Sequence, residues 1–132
     1  MLFRSEMPEL FAQHLRFLRG VKGGKRLDLT ISTGHEIDFS KHNLQSAEFV
    51  GAFLNHANFS YSKLQQANFF GATLNDSCFL ESNLGQADMR GAQMQGVNFT
   101  NAILDDANLS DGMLLQKKGS EFTPVQIGRA HV

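Results

Sequence analysis

Large apolar residues recur at every fifth position from residue 39 to residue 109. The helical period of about 3.6 residues and the strand period of about 2 residues cannot generate this spacing, so a continuous helix or strand would scatter these side chains around its surface. A turn must therefore reset the chain every five residues. The recurring residues are Phe39, Leu44, Phe49, Leu54, Phe59, Leu64, Phe69, Leu74, Phe79, Leu84, Met89, Met94, Phe99, Leu104 and Leu109.

A small residue, usually Ala or Ser, stands two positions before most of these large residues, and Asn or Asp often lies between the two. Residues two apart in an extended segment point to the same side, so the small and the large residue are expected to face inward together. The other three residues of each repeat then face solvent. The small position is occupied by a larger residue at Ile37, His42 and Val97.

Residues twenty positions apart match more closely than residues five apart. One series contains Phe39, Phe59, Phe79 and Phe99, another Leu44, Leu64, Leu84 and Leu104, and a third Gly51, Gly71 and Gly91. Four sides of five residues are therefore expected to close each coil. Because neighbouring coils lie about 4.8 Å apart, equivalent side chains are expected to stack into ladders. The pattern predicts an all-β solenoid.

The repeat resembles the pentapeptide repeat family, whose pattern is a small residue, Asn or Asp, Leu or Phe, and two polar or small residues. Residues 57–59, 67–69 and 107–109 carry the resemblance most clearly, and it extends from Ile37 to Asp111. The resemblance implies a right-handed quadrilateral β-helix, here of about four coils. Terminal coils of such arrays need caps.

The N-terminal flank predicts a capping α-helix from Met7 to Arg19, with Pro8 in its first turn and Gly20 ending it. Its apolar stripe is expected to cover the first coil through Leu10, Phe11, His14, Leu15 and Leu18. The predicted organisation is a capping helix and basic turn at 6–26, a solenoid at 27–116, and a C-terminal tail or start of a further segment at 117–126. A strand predicted at 26–31 connects the turn to the solenoid.

Residues 1–5 and 127–132 are expected to be artefacts. The two segments can be encoded by DNA strings that are reverse complements of each other. The shared string resembles a sequencing adapter. Segments of this kind are excluded from reasoning about the fold. The native protein is accordingly expected to extend past both ends.

Composition and motifs predict no catalytic residue, no cofactor and no metal site. The single cysteine, Cys78, excludes an internal disulfide and a multi-cysteine zinc site. His14, His35, His42 and His56 show no metal-ligand spacing. We expect no membrane span, because no apolar run approaches about 18 residues, and a cytoplasmic location in a bacterium.

The basic run at 19–26 fails as a phosphate loop, because Arg26 stands where Ser or Thr is required. No aromatic residues are interleaved with its basic residues, so it favours a solvated helix end over nucleic-acid binding.

Apolar residues at outward positions are the strongest functional signal. Val50, Phe53 and Phe70 are predicted to lie near one edge, with Val50 and Phe70 as vertical neighbours. Clusters of exposed apolar residues tend to mark interaction sites. These three residues therefore predict a patch that contacts an unidentified protein partner or a second copy of the chain.

Three functions fit the sequence. We favour a non-enzymatic protein-binding or scaffold module. The family resemblance also implies a DNA-mimicking modulator of DNA gyrase or topoisomerase. The eight acidic and three basic residues from Asp38 to Asp111 give the sign that a DNA mimic requires, although Asn and Gln dominate the walls. The third alternative is a passive spacer or targeting module of a larger protein.

Overall fold

The computed structural model describes residues 4–111, 115–118 and 121–124. A 3-10 turn at Arg4–Glu6 leads into helix α1 at Met7–Arg19. Near the C-terminal end lie strands β1, Leu115–Lys118, and β2, Glu121–Pro124. Residues 27–111 wind into stacked coils between α1 and β1.

Parallel bridges join residues twenty positions apart throughout the coiled segment. They form four vertical series, which define wall 1 from Asp28, wall 2 from Thr33, wall 3 from Asp38 and wall 4 from Asn43. Successive coils begin at residues 27, 47, 67 and 87. The predicted solenoid is confirmed, and each coil of twenty residues has four walls.

In each coil, a wall forms a single β-bridge residue and no extended strand. Every fifth residue from Ile31 to Asp111 has φ between 55° and 71°, which ends the extended segment at each corner. A hydrogen bond then closes the corner, as from the Ala47 N–H to the Leu44 carbonyl at 3.1 Å. A left-handed third residue is typical of type II turns. The strand predicted at 26–31 is therefore wrong, since Asp28 alone forms a bridge there and Ile31 is a corner residue.

The corner hydrogen bond depends on the small position of the repeat. Within the described coils it is absent at Ile37, His42 and Val97, and present wherever this position holds Ala or Ser. A larger inward side chain needs more room between the corner and the core, which opens the turn. The three departures from the small-residue pattern thus have a local structural consequence.

The interior consists of ladders of the predicted large residues. The rings of Phe39, Phe59, Phe79 and Phe99 stack with centroids 4.6 to 5.3 Å apart. Phe49 and Phe69 stack at 4.7 Å on the opposite wall, half a coil away. The two ladders meet edge to face at 5.5 to 5.8 Å, a favourable aromatic geometry. Of the predicted ladder residues, Leu109 alone is half-buried, and the others are at most 1% exposed.

Helix α1 packs against the first coil. Its end at Gly20, where φ is 67°, agrees with the predicted stop. The Phe11 ring stacks on His42 at 3.8 Å and meets Phe39 edge-on at 6.0 Å. The buried face consists of Met7, Phe11 and His14, whereas Leu15 and Leu18 of the predicted stripe are half-buried.

The basic turn after α1 packs against the helix. A Cβ atom on Gly24 would lie 2.5 Å from the Phe17 backbone nitrogen, so this position requires glycine. The Arg16 guanidinium donates to the Gly23 carbonyl at 3.2 Å, and the Arg26 guanidinium lies 5.0 Å from the Phe17 ring centre. The two glycines thus allow the turn to return closely along the helix.

Strands β1 and β2 pair antiparallel, with Leu115 opposite Pro124 and Lys118 opposite Glu121. The last two residues of the predicted solenoid range therefore belong to β1, and the predicted tail contains the rest of this hairpin. Residues 119–120 and 125–126 of that tail lie outside the described residues, as do 1–3 and 127–132 of the predicted artefacts. In the described part of the chain, no helix has the length and apolarity needed to cross a membrane.

Candidate functional site

Walls 1, 3 and 4 share a hydrogen bond that explains the recurring Asn or Asp. The side-chain oxygen of this outward residue accepts the backbone N–H of the residue two positions later, at 2.9 to 3.3 Å. Such a turn satisfies a corner N–H that would otherwise lack a partner. The residues that form it are Asp28, Asp38, Asn43, Asn58, Asn68, Asn83, Asp88, Asn98 and Asn108.

Wall 2 satisfies the same backbone groups in a different way. The Asn75 N–H donates to Asn55 Oδ1 at 2.9 Å, and the Gln95 N–H donates to Asn75 Oδ1 at 3.0 Å. At the bottom of this ladder the Asn55 N–H donates to His35 Nδ1 at 3.1 Å. Side chains from the coil below thus replace the Asn or Asp of the other walls. The outward position of wall 2 is free of this structural task, and it holds Thr33, Phe53, Thr73 and Gln93.

Wall 2 also carries no formal charge. Residues 31–35, 51–55, 71–75 and 91–95 include no Asp, Glu, Lys or Arg. Each of the other three walls carries charged residues, either of both signs or several acidic ones. Wall 4, for example, carries Lys63 and Glu81. Depletion of charged residues is a feature of the cores of protein interfaces. We call these four segments the neutral wall.

The corner between wall 1 and the neutral wall exposes apolar side chains. Ile31 is 70% exposed, Phe70 46% and Phe53 44%, while Val50 is half-buried. The Ile31 N–H donates to the Val50 carbonyl, and the Gly51 N–H donates to the Phe70 carbonyl, both at 2.8 Å. These bonds place Val50 directly below Phe70, with Phe53 across the glycine corner. We call Ile31, Val50, Phe53 and Phe70 the apolar corner.

An ion pair borders the apolar corner above Phe70. The Arg90 guanidinium lies 5.2 Å from the centre of the Phe70 ring and donates to both carboxylate oxygens of Asp88, at 2.9 and 2.8 Å. These hydrogen bonds lower the pKa of Asp88 and raise that of Arg90. The contact of a guanidinium with the ring face holds the Phe70 side chain beside the corner.

His14 has a structural role that the sequence did not reveal. Its fully buried ring accepts the Leu27 N–H on Nδ1 at 2.9 Å, and its Nε2 lies 2.9 Å from the Gln45 carbonyl. Because Nδ1 accepts, Nε2 carries the proton and donates to Gln45. Burial lowers the pKa of His14, and burial also lowers the pKa of His42 in its stack on Phe11. His14 thus fastens α1 to the first coil in its neutral form, and His42 does so through its stack on Phe11.

Several acidic residues are likewise committed to the fold. Hydrogen bonds from Thr30 lower the pKa of Asp28, and those from Ser40 lower the pKa of Asp38. These carboxylates accept backbone and hydroxyl donors of their own corner, so they are not free acids along the wall. Within the described residues, no three His, Cys, Asp or Glu side chains are grouped so that they could hold a metal ion.

The family model described as pentapeptide repeats matches residues 37–76 and 77–111. The chain belongs to the pentapeptide repeat family. The small residue, the Asn or Asp and the Leu or Phe of the pentapeptide repeat now have assigned tasks, in the corner turn, the outward cap and the core ladder. The neutral wall departs from this pattern, because its outward bridge positions hold Thr33, Phe53, Thr73 and Gln93 in place of Asn or Asp.

Solved pentapeptide repeat structures resemble the chain. QnrB1, a plasmid-mediated fluoroquinolone resistance protein, is 24% identical with a TM-score of 0.51, and the match covers 67% of this chain and 51% of QnrB1. Rfr23 from the cyanobacterium Cyanothece 51142 is 27% identical with a TM-score of 0.37, over 68% of this chain and 65% of Rfr23. A pentapeptide repeat protein of the Arabidopsis thaliana thylakoid lumen is 30% identical with a TM-score of 0.41, over 65% and 49%.

The similarity covers only part of each solved structure. The chain spans about half to two thirds of the length of these three proteins. The likeness to QnrB1 supports the fold alone. No curated protein matches the chain.

Proposed function

We propose that the chain is a non-enzymatic protein-binding module that contacts its partner through the apolar corner. The observation that carries this proposal is the combination of a charge-free wall with exposed Ile31, Phe53 and Phe70 at its edge. Exposed apolar groups beside uncharged surface can be desolvated at little cost, and aromatic side chains are frequent hot spots of interfaces. A passive spacer has no need of such a surface.

The gyrase or topoisomerase modulator is less well supported. A DNA mimic requires columns of free carboxylates along a wall, because the phosphates of DNA are regularly spaced. The vertical column of Glu36, His56, Asp76 and Gly96 has a carboxylate in only two of its four coils. Asp28, Asp38 and Asp88 accept hydrogen bonds within their own corners. The neutral wall presents no charge at all.

The same proposal includes three finer features, of which the handedness of the coil is implied by family membership. We propose a right-handed coil, a capping role for α1 and a bacterial cytoplasmic location. The contacts of Phe11 with Phe39 and His42 support the capping role, because they cover the lower rim of the first coil.

Replacing Phe53 and Phe70 together with Ser is expected to abolish partner capture. Truncating central aromatic residues of an interface typically costs about 2 kcal/mol or more each, so the loss of both, about 4 kcal/mol, should weaken binding by roughly 700-fold. The measurement is quantitative affinity capture from a bacterial lysate with the tagged full chain. Tyr61→Ser is the matched control, since Tyr61 is 56% exposed at a different corner. Equal loss in the control, or equal capture by all three proteins, contradicts the proposal.

A gyrase supercoiling assay distinguishes the protein-binding module from the DNA-mimicking modulator of gyrase. The full chain, added at rising concentration to purified gyrase with and without a quinolone, is expected to leave supercoiling unchanged. Inhibition or protection at micromolar protein would favour the DNA mimic over the apolar-corner module. The Phe53 and Phe70 double variant should be assayed beside it, because a DNA mimic would tolerate the loss of these aromatic residues.

A further inference from the structure

The glycines at the corner of the neutral wall are not required by the fold. Thirteen of the corner residues with positive φ are not glycine, so this backbone conformation does not demand Gly51, Gly71 or Gly91. A Cβ atom on Gly71 or Gly91 would meet nothing within 4 Å, and one on Gly51 would meet the Ile31 side chain at an ordinary 3.6 Å. Gly96 differs, because a Cβ atom there would overlap the Asp76 carboxylate. The three corner glycines leave a strip of bare backbone that an outside surface can approach closely.

The corner column combines this strip with a protruding side chain. From the first coil to the fourth it reads Ile31, Gly51, Gly71 and Gly91, and Ile31 is 70% exposed. A two-fold axis between the second and third coils exchanges the first coil with the fourth. It therefore places each Ile31 opposite the Gly91 of the other copy, and each Gly51 opposite a Gly71. A projection and a matching gap on one surface are the requirement for an isologous contact.

Charge leaves the neutral wall as the face through which two copies can meet. The solenoid from residue 27 to residue 111 contains ten acidic and three basic residues, so two copies repel each other through most orientations. The neutral wall contributes none of these charges, and it lets two copies meet without opposing carboxylates. Under the same two-fold axis, Val50 of one copy faces the apolar Phe70 of the other.

We propose that two copies of this chain pair antiparallel through the neutral wall, with each Ile31 seated over Gly91 of the other copy. This inference rests on the proposed function and names the partner of the same surface. Four coils at about 4.8 Å and a wall at most about 16 Å wide give at most roughly 300 Å² of flat contact per copy. Standard interfaces bury about 800 Å² per partner, so the dimer is weak and depends on concentration.

Sedimentation velocity of the full chain under reducing conditions tests the pairing. The average mass should rise from monomer toward dimer between about 5 and about 500 µM protein, as mass action requires for a weak dimer. Gly71→Gln should remain monomeric, because its side chain fills the strip at the centre of the contact. Glutamine already occupies the same corner conformation at Gln66 and Gln86, so the variant should fold. Tyr61→Gln, at another corner, should dimerise like the parent chain.

A cysteine pair tests the arrangement itself. In a Cys78→Ser background, Ile31→Cys together with Gly91→Cys should form a covalent dimer on mild oxidation, and either substitution alone should not. A monomeric parent chain across the whole concentration range overturns the inference, as does unchanged dimerisation of Gly71→Gln. If capture of another protein still depends on Phe53 and Phe70 in that case, the proposed function stands and the inference alone fails.

Discussion

Replacing Phe59 with alanine is expected to lower the free energy of unfolding by about 3–5 kcal/mol. The Phe59 ring stacks on Phe39 at 4.6 Å and on Phe79 at 4.8 Å, and it meets Phe49 and Phe69 edge to face. Its removal leaves a cavity in the middle of both ladders, and the repeating backbone bonds limit collapse around it. Chemical denaturation followed by circular dichroism measures the change.

Phe53→Ala is the matched control for this ladder variant. Phe53 is 44% exposed on the outside of the same coil, so its truncation should change stability by less than about 1 kcal/mol. Equal destabilisation by the two substitutions would contradict the assignment of Phe59 to the core and of Phe53 to the surface.

The second large effect is expected at His14. His14→Ala should lower the free energy of unfolding by about 2–4 kcal/mol, because it leaves the buried Leu27 N–H and the Gln45 carbonyl without their partner. The loss should appear first as undocking of α1. Amide hydrogen exchange of residues 7–19 should therefore rise before exchange within the second and third coils. Uniform exchange across helix and coils would contradict this role.

The same contact predicts a dependence of stability on pH. Burial lowers the folded-state pKa of His14 and His42 below the ordinary 6.5, so the unfolded chain binds more protons than the folded chain between these values. Stability should be complete above about pH 6.5 and should fall as the pH drops through the lowered pKa values. Arg26 acts on His14 in the same direction, whereas Asp38 opposes the shift of His42.

A histidine substitution isolates this effect. His14→Gln can retain a donor and an acceptor but cannot titrate, so its stability should fall less than that of the parent chain below pH 6.5. The carboxylates of Asp28, Asp38 and Asp88 have pKa values lowered below 3.8, so their contribution is lost only in more acidic solution. Parallel pH profiles for the variant and the parent chain would show that His14 does not carry the dependence.

Spacing alone was sufficient to predict the coil and its core. The period of five residues requires a corner after each side, and the period of twenty sets the number of sides. Both follow from which side chains can share one interior, so the sequence identified the ladders of Phe39 and Leu44. The bounds of α1 followed equally directly, because Pro8 and Gly20 favour only the first turn and the end of a helix.

Local signals could not reveal contacts between distant residues. His14 appeared as one member of an apolar stripe, since its partners Leu27 and Gln45 are separated from it by a turn and by most of a coil. Ile31 appeared as the end of a strand, although the corner turn places it in solvent.

The hydrogen-bond ladder of the neutral wall was hidden for a related reason. Asn55 and Asn75 look like ordinary polar repeat residues until the coils are stacked, and only then do they contact the backbone one coil above. The predicted patch of Val50, Phe53 and Phe70 was visible because it breaks the repeat pattern, whereas this ladder conforms to it.

Photo-cross-linking from each wall tests most directly the claim that this protein acts through the neutral wall. A photoreactive amino acid is placed at Thr73 on the neutral wall, at Cys78 on wall 3 or at Lys63 on wall 4, all outward bridge positions. We expect adducts from Thr73 alone, and their masses will distinguish a second copy from another protein. Adducts that form from Cys78 or Lys63 as readily as from Thr73 would contradict the claim.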